Sequence, residues 1–207
     1  MLAITLILDI IALLITVLFV KLILFSFSIL FFGFCLFFFR DPIRKLPSDI
    51  KENNVISPAD GKVMLIEEIE DENIFLKSKA KLIGIFLSPL NVHINRIPVS
   101  GVIDYFEYIK GDYIVAFDHK SSERNERTLI GITNDKFKVL FKQVAGFVAR
   151  RIVFHIRKGE KVIMGQKFGM IKFGSRVDVI IPENSRVMVS VNERVTGGET
   201  ILAEVMV

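Results

Sequence analysis

The chain has 207 residues, of which 51% are hydrophobic, and a formal net charge of +4. That length accommodates one modest folded domain plus a membrane segment. The mild charge, without RNA-binding motifs or aromatic–basic interleaving, excludes a nucleic-acid-binding module, and the single cysteine, Cys35, excludes an internal disulfide and offers no metal-site spacing.

Residues 1–39 contain only two charges, Asp9 and Lys21, which cancel. No basic start and no small-residue cleavage site mark a secretory signal. As one helix this stretch would reach roughly 58 Å, about twice a hydrocarbon core. A hairpin of two helices turning near Lys21 fits better. One long tilted helix, or one span with an interfacial segment, is the alternative. Phe31, Phe32, Phe34 and Phe37–Phe39 suit contact with lipid, and Cys35 reads as a small buried hydrophobe. Arg40, Arg44 and Lys45 follow at once and place the rest of the chain on the cytoplasmic side.

Residues 40–54 carry Pro42, Pro47, Asp49 and Asn53–Asn54 and read as a linker. Residues 55–207 form the expected catalytic domain. Short runs with β-branched alternation predict strands at 61–69, 73–78, 81–88, 102–109, 127–133, 136–144, 150–157, 176–182, 185–191 and 200–206. Helical periodicity is weak throughout, so the fold class is mainly β, a barrel or sandwich. The last third, short strands joined by Gly-bearing turns, resembles the barrel-sandwich hybrid of lipoyl and biotinyl carrier domains. Those present a lysine at a hairpin tip; here the corresponding region reads Lys172-Phe173-Gly174-Ser175.

Three segments stand out together. They are Ile56-Ser57-Pro58-Ala59-Asp60-Gly61-Lys62-Val63, the run from Phe86 to Gly101 containing Val92-His93-Ile94-Asn95-Arg96-Ile97-Pro98, and Gly169–Val179 containing Gly174-Ser175. With "FFFRDPIR", "NER" at Asn125–Arg127, "QVAGFVARRI" at Gln143–Ile152 and "GGETILAE", the chain resembles the short, membrane-attached phosphatidylserine decarboxylases from about Phe38 to Glu204. Each motif alone is weak; their order and spacing make the signal strong.

The Gly-Ser pair has a direct chemical logic. The Ser175 hydroxyl can attack the Gly174 carbonyl, and a glycine leaves that backbone open to attack. Elimination from the resulting ester cuts the chain into 1–174 and 175–207 and leaves a dehydroalanine that hydrolyses to a pyruvoyl group. The resemblance therefore implies a self-made pyruvoyl cofactor at Ser175 and no metal. It further implies conversion of phosphatidylserine to phosphatidylethanolamine and CO2 through a Schiff base, with the two fragments staying together as a heterodimer.

The resemblance also points to Asp60 as an activator of Ser175 and to His93 as the proton donor in decarboxylation. The longer enzymes of the family carry two histidines three apart. This chain has His93 at the first position and Arg96 at the second. Three readings stay open: His93 serves both reactions, Asp60 acts on Ser175 directly, or Arg96 polarises the peptide. Arg96, Arg127, Arg150, Arg151 and Arg176 are candidates for positioning a phosphodiester and carboxylate. His119 and His155 read as structural or surface residues. Competing readings are an archaeal ether-lipid substrate, a soluble amino-acid substrate, and a non-catalytic membrane adaptor. The last leaves Asp60, His93 and Gly174-Ser175 unexplained.

Overall fold

The computed structural model describes residues 2–15, 17–111, 125–146, 152–171 and 175–206. The chain separates into two compact units, Met1–Asp41 and Pro42–Val207.

The first unit is a pair of packed helices, α1 (Leu2–Leu14) and α2 (Leu18–Phe38). With α1 ending at Leu14 and α2 starting at Leu18, the break comes before Lys21, whose amide already donates to the Val17 carbonyl in the first turn of α2. Ile15 and Val17, between the helices, are β-branched, and such residues lose side-chain freedom in a helix. Val17 is extended and offers no side-chain cap. Among the described residues only α2, with 21 residues and mean hydropathy 2.3, is long and apolar enough to cross a membrane. At 13 residues, α1 reaches about 20 Å, two-thirds of a hydrocarbon core. The end of α2 is closed by Arg40, which donates to the Phe37 carbonyl at 2.7 Å and stacks on the Phe37 ring. A cation there also suits the negative end of the helix dipole.

The second unit is mainly β. Eight strands form one curled sheet. In spatial order they are β13 (Arg194–Val195), β2 (Gly61–Glu72), β3 (Ser78–Leu87), β11 (Ser175–Pro182), β7 (Lys138–Ala145), β6 (Arg127–Thr133), β5 (Gly101–Ile109) and β9 (Lys161–Val162). Two smaller sheets accompany it: β1 (Asn54–Ile56), β14 (Ile201–Val205) and β12 (Ser185–Val187); and β4 (Ile94–Arg96), β10 (Lys167–Ile171) and β8 (Ile152–Phe154). The main core lies on one face of the large sheet and includes Ile83, Ile85, Leu87, Phe141, Ala145, Val177 and Val179. A second cluster, with Leu65, Phe75, Leu129, Leu140 and Ile180, covers the other face. Strand β11 sits between them, and its near-continuous apolar run suits a strand buried on both sides.

The predicted strand at 73–78 is instead a turn. Glu72 is buried, and its carboxylate accepts the backbone amides of Ile74, Phe75 and Leu76. That local acceptor outcompetes a sheet ladder. The short strands β1, β4, β9, β10 and β13 were not predicted, because two to five residues give too little periodicity to read. Residues 42–46, within the expected linker, are bonded to the folded unit. Arg96 Nη2 donates to the Pro42 carbonyl at 3.3 Å, and Arg44 pairs with Asp60 and Glu199.

Candidate active site

Ser175 opens β11, flanked in register by Leu87 on β3 and Ala145 on β7. Alternation along the strand puts Ser175 on the main core face with Val177 and Val179, and Arg176 with Asp178 on the other. The Ser175 side chain is fully buried, and its Oγ makes no hydrogen bond among the described residues. A buried hydroxyl left without a partner is costly and calls for a reason.

His93 stands at the other side of the same junction. Its carbonyl accepts the amide of Ile171, the last residue of β10, at 3.3 Å. Only residues 172–174 then separate β10 from Ser175. His93 and Asn95 are both completely buried, whereas Ile94 between them is half-buried, so the two polar side chains share one face. Gly169 pairs with Asn95 and Phe154 across β10. A side chain there would meet the Val153 carbonyl at 2.2 Å, so glycine is what lets the three strands close up.

Further buried polar groups surround this end of the sheet. Thr128 Oγ1 donates to Gln143 Oε1 at 2.8 Å, and Gln143 Nε2 donates to Asn95 Oδ1 at 2.7 Å. The segment beside Ser175 is braced by Asn125, whose Nδ2 donates to the Ala145 carbonyl at 2.7 Å, and by the Glu126 carbonyl, which accepts the Ala145 amide. The Glu126 carboxylate accepts Tyr108 Oη at 2.9 Å. Asn95, Thr128, Gln143 and Glu126 were given no catalytic or binding role from the sequence; Asn95 lies between His93 and Arg96, Glu126 inside "NER" and Gln143 at the start of "QVAGFVARRI", and Thr128 falls just outside.

Asp60 is placed differently. Its carboxylate accepts Arg44 Nη2 at 2.7 Å and the Gly197 amide at 2.8 Å. It precedes β2, with β3 standing between β2 and β11. Two strand spacings make roughly 10 Å of sheet. Asp60 thus ties the segment after α2 to the Gly197-Gly198 turn. Arg96 points away from Asn95, with Nη1 on the Gly165 carbonyl at 3.0 Å and Nη2 on that of Pro42. Gly198, at φ +84°, lies against the Arg96 side chain, where any Cβ would come within 2.8 Å of Cδ.

Arg176 is buried and paired with Asp178 on the second face. Arg127 lies on that face too, across Val144 from Arg176, and donates to the Asn125 carbonyl at 3.2 Å. Lys142 stands between Asp178 and Leu129 in register. Burial pulls its pKa below the ordinary lysine value, and Asp178 and Glu72 only partly offset this. Gly174, Arg150, Arg151 and His119 lie outside the described residues. His155 sits on the strand edge near Phe106 and Phe154, away from these groups, its amide donating to the Phe168 carbonyl. Among the described residues no three His, Cys, Asp or Glu side chains converge on a point that could hold a metal ion.

A sequence model described as phosphatidylserine decarboxylase matches residues 31–203. The chain belongs to the phosphatidylserine decarboxylase family. Curated relatives named phosphatidylserine decarboxylase proenzyme include one from Chlorobium luteolum, 51% identical over 166 residues, covering 80% of this chain and 76% of the relative. One from Chlorobium limicola is 48% identical over 167 residues, covering 81% and 77%. Another, from Salinibacter ruber, is 46% identical over 170 residues, covering 82% and 74%. The family match takes in both Ser175 and His93, and the expected resemblance from Phe38 to Glu204 falls almost wholly within it.

Proposed function

We propose that this chain is a proenzyme that cuts itself between Gly174 and Ser175 and then decarboxylates phosphatidylserine to phosphatidylethanolamine. The observation that carries this reading is the fully buried, unbonded Ser175 hydroxyl at the head of the central strand. The relatives' names carry the substrate and the word proenzyme. In this reading Ser175 Oγ adds to the Gly174 carbonyl, its proton passes to a base, and the C–N bond breaks to give an ester. Loss of the Ser175 Cα proton then expels the Gly174 carboxylate. Water hydrolyses the remaining dehydroalanine to a pyruvoyl group and ammonia.

His93 is the base we favour. It is buried on the core face beside the junction, whereas Asp60 is engaged by Arg44 and Arg96 by two carbonyls. Asp60 then acts by holding the turn around Gly197. A pyruvoyl group fits position 175, because the side chain there is fully buried, its hydroxyl has no hydrogen-bond partner to lose among the described residues, and the strand is paired on both sides. Such a group supplies an electron sink for loss of a carboxylate. His93 would return a proton to the carbon that loses CO2. Arg127 and Arg151 remain our candidates for the anionic head group, while Arg96 and Arg176 serve as internal braces.

Association with a membrane follows in this reading from α2, with Arg40 and Lys45 favouring a cytoplasmic domain. A lipid substrate gives the anchor its purpose. The test is the intact mass of the purified protein, wild type beside Ser175→Ala. Expected are two wild-type fragments parting between Gly174 and Ser175, the smaller blocked by a pyruvoyl group, and one uncut Ser175→Ala chain. A folded wild type that stays whole would overturn the reading.

A further inference from the structure

Thr128, Gln143 and Asn95 form a directed chain of side-chain hydrogen bonds, all three completely buried on the main core face. The Thr128 hydroxyl gives its proton to Gln143 Oε1, and the Gln143 amide gives one to Asn95 Oδ1. The chain ends on Asn95 Nδ2, which has no acceptor among the described residues. Two buried N–H hydrogens therefore meet no acceptor among the described residues, a costly arrangement in a protein interior. Their place in the fold is specific. Gln143 faces Val177 in register, one diagonal step from Ser175, within reach of a long side chain. Asn95 lies two residues along β4 from His93 on the same face, about 7 Å by strand rise. The same end of the sheet thus holds an unbonded nucleophile, a buried imidazole and an unbonded amide donor.

We infer that Asn95 is a catalytic residue of self-cleavage, resting on the Ser175 reading: its Nδ2 donates to the oxyanion that forms when Ser175 Oγ adds to the preceding carbonyl. In that step the Oγ–C bond forms and the carbonyl π electrons move onto oxygen. The hydroxyl proton goes to His93 and then to the departing amide nitrogen as the C–N bond breaks. The Ser175 side chain that makes the attack is fully buried. A preorganised amide donor is most effective in such a place. Thr128 and Gln143 are positioning residues, because they hold the Asn95 carboxamide with its donor edge outward. Asparagine suits this role better than a second histidine or a lysine, since it adds a donor without adding a charge to be buried. Its orphaned hydrogens are satisfied only as the oxyanion forms, so the interaction is stronger in the transition state than before it.

The experiment follows cutting of the full chain made by cell-free synthesis with phospholipid vesicles, reading the intact and cut masses against time. Wild type, Asn95→Asp, Asn95→Ala, Thr128→Val and Thr128→Ser are compared, with thermal unfolding of each. Asn95→Asp and Asn95→Ala should slow cutting by about 10² to 10³ fold, the usual cost of one such donor. Hydroxylamine, which cleaves esters, should release no extra fragment from them, because ester formation is the step they slow. Thr128→Val should slow cutting roughly five- to tenfold through one lost hydrogen bond, and Thr128→Ser should restore it. A folded Asn95→Ala chain that cuts within about threefold of wild type would overturn the inference, as would accumulation of a hydroxylamine-labile ester. Should the Asn95 variants fail to fold, equal rates for Thr128→Val and wild type would overturn it instead. An uncut wild type would sink the Ser175 reading itself, a result distinct from a cut wild type with a fast Asn95 variant.

Discussion

Asp60 joins one loop to another just before β2, with β3 between β2 and β11. Its carboxylate binds Arg44 at 2.7 Å and the Gly197 amide at 2.8 Å, and both ionic partners are about one-sixth exposed. A pair of that exposure is worth about 1 kcal/mol or less. The second hydrogen bond adds the specificity, fixing one loop to another. If Asp60 works by this tie, Asp60→Asn and Arg44→Ala should slow self-cutting to similar extents, and the double variant should be no slower than either. The cycle is read from cutting rates and unfolding midpoints together. A relay role would show as slow cutting in Asp60→Asn with normal cutting in Arg44→Ala.

At the scale of elements, β7 and β11 are buried on both faces yet carry charge. Asp178 faces Lys142 across the ladder and pairs with Arg176 along its own strand. Lys142 is the strained member, its pKa lowered chiefly by burial. A lysine with a lowered folded-state pKa binds its proton more readily in the unfolded chain. Its cost is therefore fully present below the folded-state value and is relieved as pH rises towards the ordinary 10.5. Lys142→Met should accordingly raise the unfolding temperature at pH 7, and the gain should shrink as pH climbs towards 10.5. A gain that stays constant over that range would assign the effect to packing. Arg176 keeps Asp178 paired in the variant, so no buried carboxylate is stranded.

For the whole molecule, the proposed cut falls at a point where the fold is interlocked. Residues 175–206 supply β11, β12, β13 and β14. Strand β11 is bonded to β3 and β7, β13 to β2, and β14 to β1, all from the part before the cut. Lys51 and Glu204 add an ion pair across the same division, which holds the Glu204 carboxyl below its ordinary range. The two fragments should therefore migrate together in gel filtration in detergent at neutral pH and part only in denaturant. Fragments that separate under native conditions would mean that β11 leaves the sheet once its first peptide is gone.

The long apolar helix, the mainly β domain and the Ser-Pro-Ala-Asp-Gly, His93 and Gly174-Ser175 motifs were all readable from residue order. Apolar length, β-branched alternation and motif spacing are local properties that need no partner strand. The helix break was misplaced because Lys21 looked like a turn, whereas α1 ends at Leu14 and α2 starts at Leu18, where no Gly or Pro marks the sequence. Strands of two or three residues such as β4 escaped because their stability comes from the neighbour they pair with. The same limit applies to the site. Asp60, Arg96 and Arg176 are chemically apt side chains, and sequence alone ranks them by that aptness. Which face of a strand each one occupies, and what it bonds, depends on register: Arg176 turns away because Ser175 turns in. Asn95 and Gln143 lie within motifs and Thr128 just outside one, yet no local pattern announces a hydrogen-bond chain between β4, β7 and β6. Residue order thus determined the chemistry available to this protein, and only the packing of distant strands decided which groups share the buried end of the sheet.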